Sequence, residues 1–439
     1  MKRLIAIACL GITVSLHAQT TPPLALTLQQ ALQVGLNNRV DLRADSYDVV
    51  AAQNQWARSK KVWIPEIQAE GSLQYNTQLQ PTVVPEGILG NSKPEMVQMG
   101  SKNVSSFGLS LRQPIFKPGI HTDVEIAENA VALQKEQLHG QRIAVKNSIA
   151  IAYLDALLKR LQYQIARDEA GRFSKYRALA EGKFAHGALI ENDYLRARLD
   201  EQNAQVKATN AHQNYELALD YLKYQMQVAD RTPIILADSI NKMSLAGVPI
   251  DTVYFMNHRT EIQQLQLQQK QNRLQLKRVR QNALPTIALE AYYGQMYQNR
   301  NFHYDQSLYW APHSYVGLHF TVPITGNLTN KHAIRQREIR QRQLALDLRQ
   351  QQLDIGYQVE KARTDVGNAR KNMRSSRDNY ALSQSIYSNQ QQQLAMGVFS
   401  YSDLLDTERS LHQAEENYMH SAYDYLRAVI AYQKAVGTL

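Results

Sequence analysis

Two hydrophobic rhythms alternate along this chain. In four long stretches apolar side chains recur at alternating intervals of three and four residues. Leu154, Leu158, Leu161 and Ile165 keep this beat, and Ala204, Ala208, Ala211, Tyr215, Ala218 and Leu222 follow it. Val359, Ala362, Val366, Ala369 and Met373 repeat it, as do Leu404, Leu411, Ala414, Tyr418, Tyr425, Val429 and Tyr432. Such spacing is the seam of a coiled coil, narrower than the stripe of a compact globular helix. Its many alanines allow helix axes to approach closely. After Gly119 no proline occurs up to residue 181, and glycine only at 140 and 171. A helix of about 60 residues is therefore predicted, which at ~1.5 Å per residue is about 90 Å long.

Four shorter segments change to a period of two. Ile67, Ala69, Gly71, Leu73 and Tyr75 alternate with Glu66, Gln68, Glu70, Ser72 and Gln74. Phe107, Leu109 and Leu111 stand opposite Ser106, Ser110 and Arg112. Ile287, Leu289, Ala291 and Tyr293 stand against Thr286, Glu290 and Tyr292, and Val316, Leu318, Phe320 and Val322 against Gly317, His319 and Thr321. Strict alternation over about ten residues suits an outer-membrane strand, apolar to lipid and polar to the lumen. A one-sided soluble sheet alternates in the same way. Aromatic placement favours the membrane: Tyr292, Tyr293, Tyr297, Phe302, Tyr304, Tyr309, Trp310, Tyr315 and Phe320 crowd the second pair, while Trp63 and Phe116 flank the first. Such clusters suit interfacial girdles, with loop packing as a competing account of part of them.

The pattern is also duplicated. WIPEIQAE at 63–70 corresponds to ALPTIALE at 283–290, and LRQPIFKPG at 111–119 to FTVPITGN at 320–327. EGKFAHGALIEND at 181–193 corresponds to MGVFSYSDLLDTE at 396–408. Each half reads helix, strand, loop, strand, long helix, tight turn, helix. Two strands per half make four per chain, too few to close a barrel. An open edge in lipid leaves backbone groups unpaired at several kcal/mol each. Transmembrane strands therefore require oligomerisation. Two, three or four copies supply 8, 12 or 16 strands, and about eight already leave only a side-chain-filled interior.

Composition narrows the compartment. Residues 1–18 read as a secretory signal, with Lys2 and Arg3 before an apolar run from Leu4 to Leu16 and a cleavage site after Ala18. Its removal lowers the formal charge from +10 to +8 and takes away the only cysteine, Cys9. Disulfides, thiol catalysis and cysteine-ligated zinc are thereby excluded from the mature chain. Beyond the signal no window approaches the ~20 apolar residues of a spanning helix; IAIAYLDALL at 149–158 is short and carries Asp155. The surplus Lys and Arg are scattered among Gln and Glu along helical stretches, which describes a solvated surface and not a nucleic-acid patch. No metalloprotease, nucleophile-elbow, Walker or dinucleotide motif occurs, and the 12 histidines are dispersed. Neither enzyme chemistry, a cofactor nor a metal site is expected.

In duplicated order these motifs resemble the TolC-like outer-membrane efflux protein family (outer membrane factors), across 25–438. The resemblance is carried by LTLQQALQVGLNNRVDLRA at 26–44, the strand-entry prolines Pro65 and Pro285, the strand-exit prolines Pro114 and Pro323, and the Gly-containing turns at 182–187 and 397–402. It implies a mostly α fold with a transmembrane β part: long antiparallel coiled-coil helices, and four strands per chain contributing to a trimeric 12-stranded barrel in the outer membrane. The first repeat would occupy 19–231, with strands at about 65–77 and 104–113 and a hairpin at 119–231. An equatorial linker would occupy 232–250. The second repeat would follow at 251–439, with strands at about 285–297 and 314–323 and a hairpin at 328–437. The implied function is the channel of a tripartite efflux pump or type I secretion system, partnered by a periplasmic adaptor (membrane fusion) protein and an inner-membrane transporter. The contrasting possibility is a periplasmic coiled-coil scaffold that never enters the outer membrane.

By the same resemblance the turns form periplasmic tips that close the tunnel and contact the adaptor, through Gly182, Phe184 and Gly187 in the first repeat and Gly397, Phe399 and Ser400 in the second. Gly182 and Gly397 are expected to let the chain reverse. Phe184 and Phe399 are either exposed anchors or caps of the coiled coil. Asp403 and Asp406 match the family's acidic gate, one helical turn apart on one face. In a trimer each would form a ring of three carboxylates, which favours cations. As helix-start acids they would instead complement the dipole, as Glu191 and Asp193 do in the first repeat. Phe399 stands where some members carry a basic residue, so a salt-bridged lock there is not expected.

Overall fold

The computed structural model describes residues 24–88, 90, 92–230, 232–245, 256–396 and 401–439. The first repeat contains β1 (Leu24–Leu26), α1 (Leu28–Asn38), α2 (Val40–Lys60), β2 (Glu66–Tyr75), β3 (Pro81–Val84), β4 (Glu95–Gln98), β5 (Asn103–Phe116), α3 (Ile120–Ala185) and α4 (Glu191–Met226). Then come β6 (Ile234–Leu236), α5 (Ile240–Leu245), α6 (Thr260–Gln281), β7 (Thr286–Asn299), β8 (Trp310–Thr321), α7 (Gly326–Ala395) and α8 (Tyr401–Val436). The chain is mostly helical, and α3 and α7 are single helices of 66 and 70 residues. No described helix is long and apolar enough to cross a membrane.

Two compact units divide the chain, and α3 and α7 contribute residues to both. The first spans Arg43–Gly140 and Met256–Asp354 and holds an antiparallel sheet in the order β2-β5-β7-β8. Its register sorts the alternating residues onto two faces. Ile67–Leu111–Ala291–Val316 and Ala69–Leu109–Tyr293–Ser314 are cross-strand rows of one face. Glu66–Arg112–Glu290–Gly317 and Gln68–Ser110–Tyr292–Tyr315 are rows of the other. The apolar face is bare: Val316 is 76% and Leu73 71% exposed. Among the described residues β2 and β8 each have one neighbour, so the sheet is open at both edges.

Three details depart from expectation. Pro114 lies inside β5 at a register shift and not at a strand exit. Lacking an N–H, proline is tolerated within a sheet at such a bulge. The first inter-strand loop carries its own two-stranded ladder, β3 with β4. The aromatic crowd also divides. Tyr297 is fully buried against Tyr304 (4.4 Å), Trp310 (5.4 Å) and Tyr309 (6.2 Å), and Trp310 donates to the Tyr304 carbonyl at 3.0 Å. These rings are loop packing. Trp63 and Phe116 stay exposed, as girdle residues do.

The helices of this unit are pinned by two equivalent polar contacts. Buried Asn129 on α3 donates to the Leu267 carbonyl (3.0 Å) and the Gln271 side chain (2.8 Å) of α6. Buried Asn272 on α6 donates to the Arg337 carbonyl and the Gln341 side chain of α7, both at 2.9 Å. Each asparagine takes a carbonyl and the glutamine one turn later, which fixes axial register much as a lone core asparagine does in a coiled coil.

The second unit comprises the described parts of Met1–Leu42, Gln141–Phe255 and Ile355–Leu439. The predicted seams bury Leu154, Leu158, Ile165, Ala204, Ala218, Leu222, Val359, Ala362, Val366 and Met373, at about 1.5–3 kcal/mol for each large side chain. Thr27 caps α1 in a reciprocal box with Gln30, and buried Gly35 lets α1 close onto Ile149 of α3, where a Cβ would collide. β1 pairs in parallel with β6. Asp238, beyond β6, accepts from the Leu28 amide (2.7 Å) and the Tyr153 hydroxyl (2.9 Å). Burial first, then that carboxylate, pushes the Tyr153 hydroxyl far above its usual range.

Candidate functional site

The tip candidates lie at the α3–α4 and α7–α8 turns. In the first, the helix runs straight through Gly182 to Ala185, and a Cβ at Gly182 would meet nothing. Gly182 therefore does not reverse the chain. Gly187 does, at φ +70°. Its amide bonds the Phe184 carbonyl (2.9 Å) and the Ala188 amide bonds the Lys183 carbonyl (2.8 Å), the paired bonds of a Schellman stop. Glycine is favoured at the left-handed position because a Cβ is strained there. Phe184, 40% exposed, stacks on Tyr194 across the turn at 5.4 Å and 2°. Glu191 and Asp193 occupy the first turn of α4, whose starting residue Ile190 supplies no side-chain cap. They complement the orphan amides there.

In the second turn Gly397, Phe399 and Ser400 lie outside the described residues. Asp403 and Asp406 are the third and sixth residues of α8. Asp406 is exposed and pairs with Arg409 at 2.9 Å. Asp406 falls off the buried stripe formed by Leu404, Glu408 and Leu411.

That stripe carries residues the sequence reading missed. Glu408 is 2% exposed and accepts from the Arg172 guanidinium of α3 at 2.6 Å. Beside it Tyr176 of α3 and Tyr387 of α7 share a hydroxyl–hydroxyl bond of 2.6 Å within a core completed by Leu404, Leu411, Phe173 and Tyr380. Burial, then Tyr176 and Glu408, drive the Tyr387 hydroxyl far up. Tyr380, pushed up to about 12 by burial and then by the charge of Glu415, donates to that carboxylate at 3.1 Å. Glu415 is itself raised by burial, against the pull of Tyr380 and Arg172. One turn away Lys207 of α4 bonds Glu169 of α3 at 3.0 Å and His412 of α8 at 2.5 Å. The two hairpins are thus tied by charged and hydroxyl groups just behind the tips. A glutamate one turn after Leu404 in an otherwise apolar seam was the available signal. Among the described residues no group of three or more His, Asp or Glu is arranged to hold a metal.

A duplicated chain with an open amphipathic sheet and long paired helices defines the subunit of a membrane duct. The profile of the outer membrane efflux proteins matches residues 31–224 and 255–438, and the chain belongs to that family. Its location is the outer membrane, with periplasmic helices, and its work is that of a channel. The alkaline protease secretion protein AprF of Pseudomonas aeruginosa is 22% identical over 324 residues, 73% of this chain and 67% of AprF. Among solved structures the fold is similar to CusC (TM-score 0.74, 18% identity, 93% of this chain and 92% of that one). It is also similar to the Campylobacter jejuni outer membrane channel CmeC (0.69, 15%, 94% and 85%). The Neisseria gonorrhoeae outer membrane channel MtrE, solved in its open state, is similar as well (0.68, 18%, 93% and 88%). The scaffold alternative is set aside.

Proposed function

We propose that three copies of this chain close a 12-stranded barrel and form a passive duct. Substrates would be handed to it by a periplasmic adaptor and an inner-membrane transporter. The observation that carries this reading is the open sheet. Its bare apolar face suits lipid, its polar face suits a lumen, and its two free edges need partners that only further copies supply. Two copies would give about eight strands and a filled interior, whereas three leave a conduit. Energy comes from the inner-membrane partner. The secretion arm is supported by the relative that is an alkaline protease secretion protein.

In this reading the repeats are 19–231 and 251–439, with 232–250 as the equatorial linker between them, and both turns lie at the periplasmic end. There Phe184, stacked on Tyr194, and Phe399 would meet the adaptor, with Gly187 closing the first turn and Gly397 and Ser400 as further contact residues of the second. Asp403 and Asp406 form the carboxylate rings of the gate, and Arg409 moderates the charge of Asp406. Reconstituted in planar bilayers, the purified protein gives discrete conductance steps that polyvalent cations block. Asp403→Ala with Asp406→Ala raises the half-blocking concentration of hexaamminecobalt at least tenfold. Unchanged block removes the gate assignment, and an absence of conductance removes the duct.

A further inference from the structure

The polar face of the sheet carries a group that a merely wet wall does not need. Tyr292 and Tyr315 are direct cross-strand partners, their ring centres 6.0 Å apart and their planes 17° from parallel. His313 stands 5.7 Å from Tyr292. The register puts these rings opposite Tyr293 and Val316, on the face away from lipid, so an interfacial girdle does not account for them. Beneath Tyr292 the directly paired glycines Gly108 and Gly294 leave room: a Cβ on either would lie 2.5 Å from the Tyr292 hydroxyl. The side chain is thereby laid along the wall, where its ring face is available to passing solutes.

The rings border a groove of about 250 Å³ whose lining includes Glu66, Glu70, Glu290 and Arg112. Three carboxylates face one guanidinium. Arg112 approaches Glu290 at 3.5 Å, while Glu70 accepts from the Ser110 hydroxyl (2.6 Å) and Glu66 from the Gln68 amide (2.6 Å). The groove keeps net negative charge next to two π faces. That combination recognises a cation that is also a flat ring: carboxylates hold the charge, and the tyrosines add stacking and cation–π attraction. We propose that this groove is a cargo-contacting subsite for planar organic cations, separate from the carboxylates at the tip. It rests on the reading that the polar face lines the lumen.

The test is block of single-channel current by ethidium, a planar cation, and by hexaamminecobalt, a polyvalent cation without a ring. Tyr292→Ser with Tyr315→Ser raises the half-blocking concentration of ethidium about tenfold, the loss expected when cation–π attraction to two rings is removed, and leaves hexaamminecobalt block unchanged. Tyr292→Phe with Tyr315→Phe, which keeps both rings, retains ethidium block. The single variant Tyr315→Ser, at the more exposed ring, shows part of the effect should the double variant fail to assemble. Ethidium block that survives the serine variants, or that disappears only with Asp403→Ala and Asp406→Ala, overturns the subsite and leaves the duct standing. If the wild type has no conductance, both readings fall.

Discussion

The two helical hairpins of the second unit descend from one repeated plan and are packed by different means. In the half of α4 nearer the turn the buried residues are small, Ala197 and Ala204, while Ala218, Leu219, Leu222 and Met226 are buried further along, and its acids Glu191 and Asp193 sit at the helix start. In α8 the equivalent stripe is large and partly polar, running Leu404, Glu408, Leu411, Tyr418 and Tyr425. Small side chains let helices approach but specify register weakly. A buried carboxylate with one guanidinium within reach specifies it strongly, because sliding by a turn leaves a charge unpaired in the core. Near the turns α4 is thus packed for closeness, whereas the contact of α8 with α3 is built for address.

The largest expected effect breaks that address. Arg172→Ala leaves Glu408 buried without its partner and destabilises by about 3 kcal/mol. It lowers the melting temperature of the detergent-extracted protein more than any alanine replacement on the exposed face of α4. Arg172→Met with Glu408→Leu, which removes both charges, melts close to wild type. If the double variant melts as low as the single, the pair supplies stability and not register.

A smaller effect separates the glycines of the first tip. Gly187→Ala places a Cβ at φ +70° and costs about 1–2 kcal/mol. Gly182→Ala, in a helix with open space around it, stabilises by about 0.5–1 kcal/mol. Opposite shifts in melting temperature locate the reversal at Gly187, and equal shifts contradict it.

The smallest effects are in pH. Glu415 is raised by burial, so the folded state holds its proton at a pH where the unfolded chain has released it. Its contribution is largest below the ordinary glutamate value and declines as pH rises through the folded value. Asp41 is lowered, chiefly by its hydrogen bond from Arg39, so its contribution is present near neutrality and is lost as pH falls through the folded value. Melting profiles of Glu415→Gln and Asp41→Asn against wild type should diverge at opposite ends of the range. Glu415→Gln flattens the decline on the rising side, and Asp41→Asn flattens the loss on the acid side.

Much of the architecture was legible because it rests on period. Alternation of two assigned the sheet and its faces, and the three–four beat located Leu154, Ala204, Val366 and Tyr425 in the core. What escaped depended on events that period does not record. Glu408 looked like a gap in its seam, since polarity alone does not disclose that Arg172 waits 236 residues away. Pro114 resembled a strand end because the bulge that accommodates it is set by pairing with β7. Gly182 and Gly187 are alike in sequence, and only backbone geometry assigns the turn to the second. Alternation already set Tyr292 against the apolar residues, but only the register brings it beside Tyr315.

The most direct test of the account is the mass of the mature protein, measured by light scattering after extraction from outer membranes in detergent. A detergent-dependent particle of three chains is expected, because an open four-stranded sheet in lipid must find its edges in other copies. A monomer that leaves the membrane fraction in plain buffer would contradict it, since the apolar face and both free edges would then be at home in water.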